Sequence, residues 1–345
     1  MSLRRVFLLI VGLLLVMVSA SVLAQNKPKP KEEPKLTKPQ LEQLEALSTL
    51  VDAVMAGKEA APADAKLKAN YHFVKSTTNI FVPYLVEVTS GRFTSFPVAV
   101  YVRAVQKSGA AAPPSAAGTA KTVEYPFSDL YFLSDAKMLR PTGADTAEFN
   151  RGLQLPPGEF DLYIAMMETP VRNSKTPPKR VVHTQSLTVP DISSGLTTSS
   201  IILAKQLEDA PPQLTPQQQL EQPFTFGGSK ITPAFPSVFA KSAELLFVFF
   251  IYNQGAGPDG KPEVDVDYLF YRANEAKPFS KAATSSLNAK TLPAEFNASA
   301  GHQLVVAQGI PLASFAPGDY KLEIGISDKT NNQTIKRDVP FTVSP

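Results

Sequence analysis

A short motif occurs twice in this chain and limits the folds that it can adopt. Residues 157–162 read Pro-Gly-Glu-Phe-Asp-Leu, and residues 317–322 read Pro-Gly-Asp-Tyr-Lys-Leu. A Pro-Gly turn followed by an aromatic residue at a strand start is typical of the corner that leads into the penultimate strand of a two-sheet β-sandwich. The repeat therefore predicts two similar β domains in one chain.

Apolar residues recur with a period of two over most of the chain beyond Tyr71. The predicted strands, which Gly- and Pro-rich turns separate, include residues 98–103, 127–133, 159–167, 181–189 and 264–271. Residues 244–252 form a continuous apolar run, which predicts a central strand covered on both faces. Short strands at such spacing favour a sandwich or barrel over βαβ units. We predict an all-β fold with two tandem immunoglobulin-like β-sandwiches.

The two halves also resemble each other outside the motif. The Val-x-Val rhythm of residues 98–103 returns at residues 264–268, which favours duplication of a whole domain.

We place the first sandwich at residues 71–205 and the second at residues 226–345. Residues 206–225 are predicted to be a linker, because Gln, Pro, Glu and Asp replace apolar residues there.

The N-terminus carries the pattern of an export signal. Arg4 and Arg5 precede an almost wholly apolar run at residues 6–18, and a Val-Leu-Ala triplet comes before Gln25. This pattern predicts a signal peptide at residues 1–24 and a periplasmic or extracellular mature protein. The alternative is a retained membrane anchor. The sequence contains no Cys, so it offers no lipobox thiol and no disulfide framework, and we expect a bacterial source.

A tether and a helix are predicted between the signal peptide and the first sandwich. Residues 25–40 alternate Lys with Pro, which favours an extended tether that acts as a spacer or is attracted to an anionic envelope surface or wall polymer. Residues 41–57 place apolar side chains at intervals of three and four, which predicts one amphipathic helix with Thr37 as its N-cap and Gly57 at its end. Because a lone helix of this length is marginal in water, its apolar stripe docks on its own sandwich, on another copy or on a partner.

Composition argues against nucleic acid as a partner. The formal charge of +3 falls to about +1 when Arg4 and Arg5 leave with the signal peptide, and the other charges are mixed along the chain. Nucleic-acid binding needs a basic face. The 43% of hydrophobic residues is sufficient for two domains of ordinary size.

A resemblance to a known group of proteins rests on the last strands. Residues 311–343, PLASFAPGDYKLEIGISDKTNNQTIKRDVPFTV, resemble the closing strands of immunoglobulin-like domains in uncharacterised exported bacterial proteins, particularly those that accompany GWxTD-motif domains. The resemblance implies fold and export, and it implies no catalytic residue. The GWxTD motif itself is absent from the sequence, so a role assigned to that motif does not carry over. Tyr320 resembles the tyrosine of a tyrosine corner, and its counterpart Phe160 lacks the hydroxyl group.

The sequence contains few candidate metal ligands at suitable spacing. His72, His183 and His302 lie far apart and form no His-x-x-x-His pair, so we expect exposed or capped histidines rather than a zinc site. Asp265 and Asp267 lie on one strand face near Asp259, which leaves calcium binding and a solvated strand face as alternatives.

Catalytic motifs are also missing from the sequence. A glycosidase needs a pair of carboxylates, and three acids could in principle supply one: Glu263, Asp265 and Glu295. Any β-sandwich of this size offers such pairs by chance. The sequence contains no nucleophile elbow, P-loop or dinucleotide fingerprint. We therefore predict no catalytic, cofactor-binding or metal-binding residue, no cofactor and no enzyme activity.

Aromatic residues leave two interpretations open. The phenylalanines around the second Pro-rich turn fill a contact between domains or form an exposed binding patch: Phe224, Phe226, Phe235 and Phe239. A sugar-binding module would expose the tyrosines of the strands, whereas a scaffold would bury them: Tyr101, Tyr131, Tyr268 and Tyr271. We expect a protein that contacts another envelope or secreted protein or acts as a spacer in the envelope, with carbohydrate or wall-polymer binding as the alternative.

Overall fold

The computed structural model describes residues 36–90, 93–107, 125–171, 174–211, 213–273, 275–300 and 302–345. The chain divides into two compact units between Asp191 and Ile192. Strands dominate both units, so the predicted all-β fold is confirmed. The predicted signal peptide, residues 1–24, and most of the predicted tether, residues 25–40, lie outside the described residues.

The first unit contains one helix and nine strands in its described residues. They are α1 (Lys38–Met55), β1 (Lys66–Tyr71), β2 (Val74–Lys75), β3 (Ile80–Ser90), β4 (Val98–Gln106), β5 (Phe127–Leu133), β6 (Arg140–Pro141), β7 (Ala147–Leu155), β8 (Gly158–Glu168) and β9 (Arg180–Val189). One sheet has the order β1-β3-β7-β6, with β2 also on β3, and the other has the order β5-β4-β8-β9. Tyr84 of β3 and Tyr131 of β5 join the two sheets through their hydroxyl groups, which lie 3.2 Å apart.

Helix α1 begins three residues before the predicted start. Thr37 is the N-cap, and the side-chain carbonyl of Gln40 accepts its backbone N–H at 2.8 Å, which is half of a capping box. Pro39 lies in the first turn, where its missing N–H costs nothing. Gly57 follows the helix with φ 65° and donates its N–H to the Val54 carbonyl, so it ends the helix as predicted.

The second unit contains twelve strands and one short α-helix in its described residues. They are β10 (Thr197–Thr198), β11 (Ile202–Asp209), α2 (Pro216–Glu221), β12 (Thr225–Phe226), β13 (Ser229–Pro233), β14 (Val238–Ala240), β15 (Glu244–Tyr252), β16 (Val264–Arg272), β17 (Ser280–Lys281), β18 (Ser285–Leu287), β19 (Leu304–Pro311), β20 (Gly318–Asp328) and β21 (Gln333–Ser344). Strand β19 pairs with one edge of β15, and β10 and β11 pair with the other edge, beyond which lie β13 and β12. The second sheet has the order β14-β21-β20-β16, with β17 and β18 on β16.

The core of the second unit lies between its two sheets. Side chains of β15 and β19 from one sheet and of β16, β20 and β21 from the other form a single buried cluster. Alternate residues of β15, from Leu245 to Ile251, belong to this cluster. Phe250 points to the opposite side of the strand and is also buried, with the ring of Phe226 5.6 Å away. The prediction that residues 244–252 form a central strand covered on both faces is therefore confirmed.

The pairing pattern of the first unit returns in the second. Strand β3 pairs with β7, and β4 pairs with β8, which pairs with β9; in the second unit β15 pairs with β19, and β16 pairs with β20, which pairs with β21. The repeated motif lies at the start of β8 and β20, two strands of equal length. Gly158 has φ 146° and Gly318 has φ 148°, a region that favours glycine, so both copies use their glycine in the same conformation.

The boundary between the units differs from the predicted one. Strand β11 pairs with β13 and β15, so residues that we assigned to the end of the first sandwich (71–205) and to the linker (206–225) are part of the second unit. The second unit thus begins at Ile192 rather than at residue 226. The latter half of β11 is polar and exposed, and it is held by backbone hydrogen bonds, so its composition resembles that of a linker.

Candidate functional site

The most extensive polar contact of α1 in the described part of the first unit is a clamp between the helix and β4. Its centre is Arg103, whose side chain is only 5% exposed. Its guanidinium group forms an ion pair with Asp52 of α1, and its Nε–H donates to the hydroxyl oxygen of Tyr101 at 2.9 Å. The ring centre of Tyr125 lies 4.2 Å from the guanidinium carbon. We call this group of four residues the Arg103 clamp.

The electrostatics of the clamp favour a permanently charged arginine. Burial by itself would lower the pKa of Arg103, but its hydrogen bonds to Asp52 and Tyr101 raise the pKa above the usual value. A buried cation that loses its partner is costly, because the protein interior solvates it poorly. The clamp therefore opposes release of the C-terminal half of α1 from the sheet.

The apolar stripe of α1 completes this contact. Leu47, Leu50 and Val51 are buried in one cluster with residues of three strands, namely Ala99, Tyr101, Ala165, Met167 and Val182. The helix therefore docks on its own unit, which was one of the alternatives left open by the sequence. Neither helix in the described part of the chain is long and apolar enough to cross a membrane.

The matching sheet of the second unit has a charged outer face. Asp265 of β16 receives hydrogen bonds from Lys329 at 2.7 Å and from Ser286 at 2.6 Å. These two bonds hold the pKa of Asp265 below its usual value. Its side chain is 25% exposed, as expected for the solvated side of a strand.

The two other acids of the possible calcium site are also bound to protein groups. Asp267 accepts hydrogen bonds from Thr284 at 2.5 Å and from Lys281 at 2.9 Å, and these bonds lower its pKa. Asp259 accepts the backbone N–H of Lys261 at 3.0 Å. Among the residues that the structure describes, no group of three or more His, Asp or Glu is arranged to hold a metal ion.

The carboxylates considered for glycoside hydrolysis do not form an isolated pair. Glu263 lies 3.6 Å from the ammonium group of Lys329, which also binds Asp265. The two acids therefore share one lysine. Glu295 lies in an exposed turn after β18.

The three histidines lie in three separate environments. His72 is buried, contrary to our expectation of exposed or capped histidines, and burial lowers its pKa to about 4. The ring of His183 lies 3.4 Å from the side-chain oxygen of Gln185. The Nδ1 atom of His302 accepts the backbone N–H of Asn297 at 3.0 Å.

The strand tyrosines are mostly buried. Tyr101, Tyr131 and Tyr268 are at most 8% exposed, and burial raises the pKa of Tyr268 to about 12. Tyr271 is half-buried, and the ammonium group of Lys321 lies 4.5 Å from its ring centre. Three of the four rings are therefore unable to stack on a sugar, which counts against a carbohydrate-binding face on these strands.

The phenylalanines near the second Pro-rich turn pack into the second unit. Phe224 and Phe239 are buried, Phe239 within the main core cluster, and Phe226 and Phe235 are half-buried. They do not form the exposed patch that was one interpretation of the sequence.

A buried polar cluster between the sheets of the first unit was not predicted. The guanidinium carbon of Arg151 lies 4.3 Å from the ring centre of Tyr131, and its Nη2 lies 3.4 Å from Asp129. Burial raises the pKa of Tyr84, whose hydroxyl group meets that of Tyr131. The cluster keeps these tyrosines neutral and gives the core polar contacts that need a defined geometry. No spacing in the sequence indicates it, because its members come from three separate strands.

A second unpredicted feature is a carboxylate that joins two loops. Glu168, at the end of β8, accepts the backbone N–H groups of Thr94 at 2.6 Å, Ser95 at 3.2 Å and Lys179 at 3.2 Å. Burial opposes ionisation of this group, but these three hydrogen bonds hold its pKa below the usual value. Glu168 thereby ties the β3–β4 connection to the β8–β9 connection.

Comparison with known proteins adds no functional assignment. No family model matches this chain, and no curated protein matches it. A purple acid phosphatase from yellow lupin (Lupinus luteus) seeds aligns with 81% of this chain and 41% of its own length at 13% identity, with a TM-score of 0.20. An alpha-2-macroglobulin mutant from Salmonella aligns with 82% of this chain and 17% of its own length at 10% identity, with a TM-score of 0.19. The chain spans less than half the length of either structure, and neither likeness is close enough to support an argument about function.

Proposed function

We propose that this is a non-enzymatic exported protein of the bacterial cell envelope, in which two immunoglobulin-like sandwiches act as a structural spacer or contact another protein. The observation that supports the proposal is the attachment of α1. The Arg103 clamp and the apolar stripe fix the helix to the first unit. The predicted tether therefore meets the folded protein at a fixed point, as a spacer requires.

The matched strand pairing of the two units supports a second part of the proposal. Duplication of one domain would produce two units with the same strand pairing. The pair β3–β7 corresponds to β15–β19, and a glycine in the same conformation starts both β8 and β20. We attribute both units to one duplicated immunoglobulin-like domain. Such domains serve many unrelated functions, so the fold alone assigns none.

The function is best tested on the mature chain in the envelope. We expect the N-terminus of the processed protein to be Gln25, which mass spectrometry of a periplasmic or secreted fraction would establish. A chain that keeps residues 1–24 and remains in the cytoplasm would overturn the export part of the proposal.

The interaction is tested by chemical cross-linking in intact envelopes, followed by identification of the linked proteins. Removal of residues 25–57 is unsuitable, because it would uncover the apolar sheet face under α1 and promote non-specific binding. Removal of residues 25–35 leaves that face covered, and replacement of the lysines of the tether by Gln keeps its length as a matched control.

We expect the same cross-linked protein from the full mature chain and from the Gln variant. Binding of the chain to purified wall polymer, with no cross-linked protein, would favour the carbohydrate alternative instead.

A further inference from the structure

Strand β19 forms one edge of a sheet in the second unit. All eight of its residues pair with β15, in one antiparallel register without a bulge. Among the described residues, no other strand pairs with β19. An edge strand of this kind presents a row of backbone N–H and C=O groups to any further strand.

The hydrogen bonds of Ser199 show which backbone groups of β19 face outward. Ser199 binds the N–H and the C=O of Phe250, so both groups point away from β19. Phe250 pairs with Val305, and the backbone groups of Val305 therefore point away from β15. Because the orientation alternates along a strand, the same holds for Ala307 and Gly309. Within the described part of the chain, no loop or side chain binds these groups, and Ala307 is exposed.

The corresponding edge of the first unit is covered by a strand. Strand β7 has the same place in the pairing pattern as β19, and β6 pairs antiparallel with its other edge. Only Arg140 and Pro141 form this short strand. The fold therefore accepts an extended segment at this position, and the described residues of the second unit supply none.

Strand β19 lacks the charged residues that occur on the other long edges. Natural sheets keep edge strands from pairing with other chains by means of charged residues, Pro or bulges. Strand β19 reads Leu-Val-Val-Ala-Gln-Gly-Ile-Pro, so its Pro lies at the end and none of its residues is charged. The other described edge strands of five or more residues contain charged side chains: Lys66 and Lys68 in β1, Asp129 in β5, and Arg180 in β9.

Side chains of β15 shape the surface beside the open edge. A Cβ atom placed on Gly309 would lie 3.0 Å from Cδ2 of Leu246 and 2.9 Å from a carboxylate oxygen of Glu244. Leu246 therefore lies over Gly309, next to the open edge. A residue that pairs with Gly309 from outside would contact Leu246, which favours an apolar side chain at that place.

The three outward-facing residues of β19 are arranged symmetrically. Val305 and Gly309 are each two residues away from Ala307. If two copies pair antiparallel about Ala307, each Val305 lies opposite Gly309 of the other copy and contacts its Leu246. Each of the three residue pairs exchanges two backbone hydrogen bonds, which gives about six in total. The edge is thus complementary to itself.

We propose that the chain forms a two-fold symmetric dimer in which the β19 edges of two copies pair antiparallel about Ala307. We call this contact the β19 junction. A two-fold contact uses the same surface on both copies, as the symmetric edge requires. The two Glu244 side chains add little repulsion, because the Gly309 residues beside them are about 13 Å apart along the strands. That distance exceeds the Debye length of about 8 Å at physiological ionic strength.

The dimer goes beyond the proposed function, because it requires neither export nor a second kind of protein. It is tested by sedimentation of a purified chain of residues 25–345 over a range of concentrations. We expect a dimer whose population rises with concentration. Ala307→Lys should weaken association by about tenfold or more, because two like charges would meet at the centre of the β19 junction.

A pair of opposite charges tests the register. Ala307→Glu alone should weaken association for the same reason as Ala307→Lys. A mixture of the two variants should associate at least as strongly as the unchanged chain, because opposite charges then lie directly across the junction. Ala240→Lys is the matched control, since Ala240 is an exposed residue of β14 in the other sheet, and it should associate as the unchanged chain does.

Thermal unfolding of each variant checks the fold. Ala307 is exposed and its N–H points away from β15, so both substitutions are compatible with the strand. If one charge variant is unfolded, the other by itself tests the β19 junction.

A chain that remains monomeric up to about 1 mM overturns the proposal. So does undiminished association of a folded charge variant, or a mixture that associates no better than its components. A monomeric chain whose Ala307→Lys variant loses a foreign protein in envelope cross-linking would assign the open edge to a strand of that protein instead. Sedimentation uses purified protein, so its failure is distinct from failure of the export and cross-linking experiments.

Discussion

At the residue scale, the aromatic residues of the two copies of the motif, Phe160 and Tyr320, differ by one hydroxyl group. The Tyr320 hydroxyl donates to the Ala316 carbonyl at 2.6 Å, which is the tyrosine corner expected from the sequence. Phe160 takes the equivalent place in the first unit, is fully buried and has no such bond to make. The first unit thus forms the corner through packing, whereas the second adds a hydrogen bond.

Tyr320→Phe should lower the free energy of unfolding of the second unit by about 1 kcal/mol, the usual net value of one hydrogen bond. Urea unfolding of the purified chain measures this difference. Tyr271→Phe is the matched control, because that ring is half-buried on the outer side of the neighbouring strand, and it should change stability less. An unchanged midpoint for Tyr320→Phe would contradict the energetic role of the corner.

Glu168 gives a prediction that depends on pH. Its pKa is lower in the folded than in the unfolded protein, so its ionised form stabilises the fold above the ordinary glutamate pKa. This contribution is lost as the pH falls through the folded-state value. Glu168→Gln should therefore destabilise the first unit near neutral pH, and the difference from the unchanged protein should shrink below about pH 4.

Thermal unfolding over a series of pH values measures this effect, with Glu159→Gln as a control for loss of an exposed charge. A difference between Glu168→Gln and the unchanged protein that stays constant down to about pH 3 would refute the linkage.

The roles of residues whose partners are distant in the sequence could not be predicted from the sequence. The corner tyrosine was predictable because its motif is local. Glu168 and Thr94 are 74 positions apart, and Arg103 and Asp52 are 51 apart. Arg103 occupies an ordinary strand position in the sequence pattern, and only the docking of α1 makes it a buried cation.

At the element scale, the contact between α1 and β4 can be tested with a single substitution. Arg103→Met removes the cation but keeps much of the apolar side chain, so it separates the clamp from the packing of the helix. We expect the first unit to lose about 2 kcal/mol of stability, because hydrogen bonds to charged groups contribute more than neutral ones. Hydrogen exchange should rise in the C-terminal half of α1.

Arg180→Met provides the matched control for this variant. Arg180 is 44% exposed and lies 3.9 Å from Glu59, a surface pair that contributes little. Equal effects of the two substitutions would show that the Arg103 clamp does not hold the helix.

Regular elements were predictable where periodicity was strong. The apolar stripe indicated α1, and the run at residues 244–252 indicated β15 with the bounds that the structure has. Strands β10 and β11 were missed because the first is two residues long and the second is polar over its latter half. Ser199, between them, donates its backbone N–H to the Phe250 carbonyl and accepts the Phe250 N–H with its hydroxyl oxygen, so a side chain continues the ladder where the strand is broken.

At the scale of the whole molecule, the position of the boundary decides which fragments can fold. Strand β11 lies between β15 and β13, and three of its residues, Ile202, Leu203 and Ala204, are buried. Removing it would separate β12 and β13 from the sheet and uncover one edge of β15. A chain of residues 192–345 should therefore unfold cooperatively, whereas a chain of residues 206–345 should not.

Circular dichroism and urea unfolding of the two fragments compare them directly. The two fragments share the same C-terminus and differ only by the fourteen residues 192–205, so a difference in stability is due to those residues. If the shorter fragment were as stable as the longer one, the pairing of β11 with β15 would contribute nothing to the second unit, and the boundary would lie where composition alone had placed it. Loss of cooperativity in the shorter fragment is expected because an unpaired edge of the apolar β15 favours association over folding.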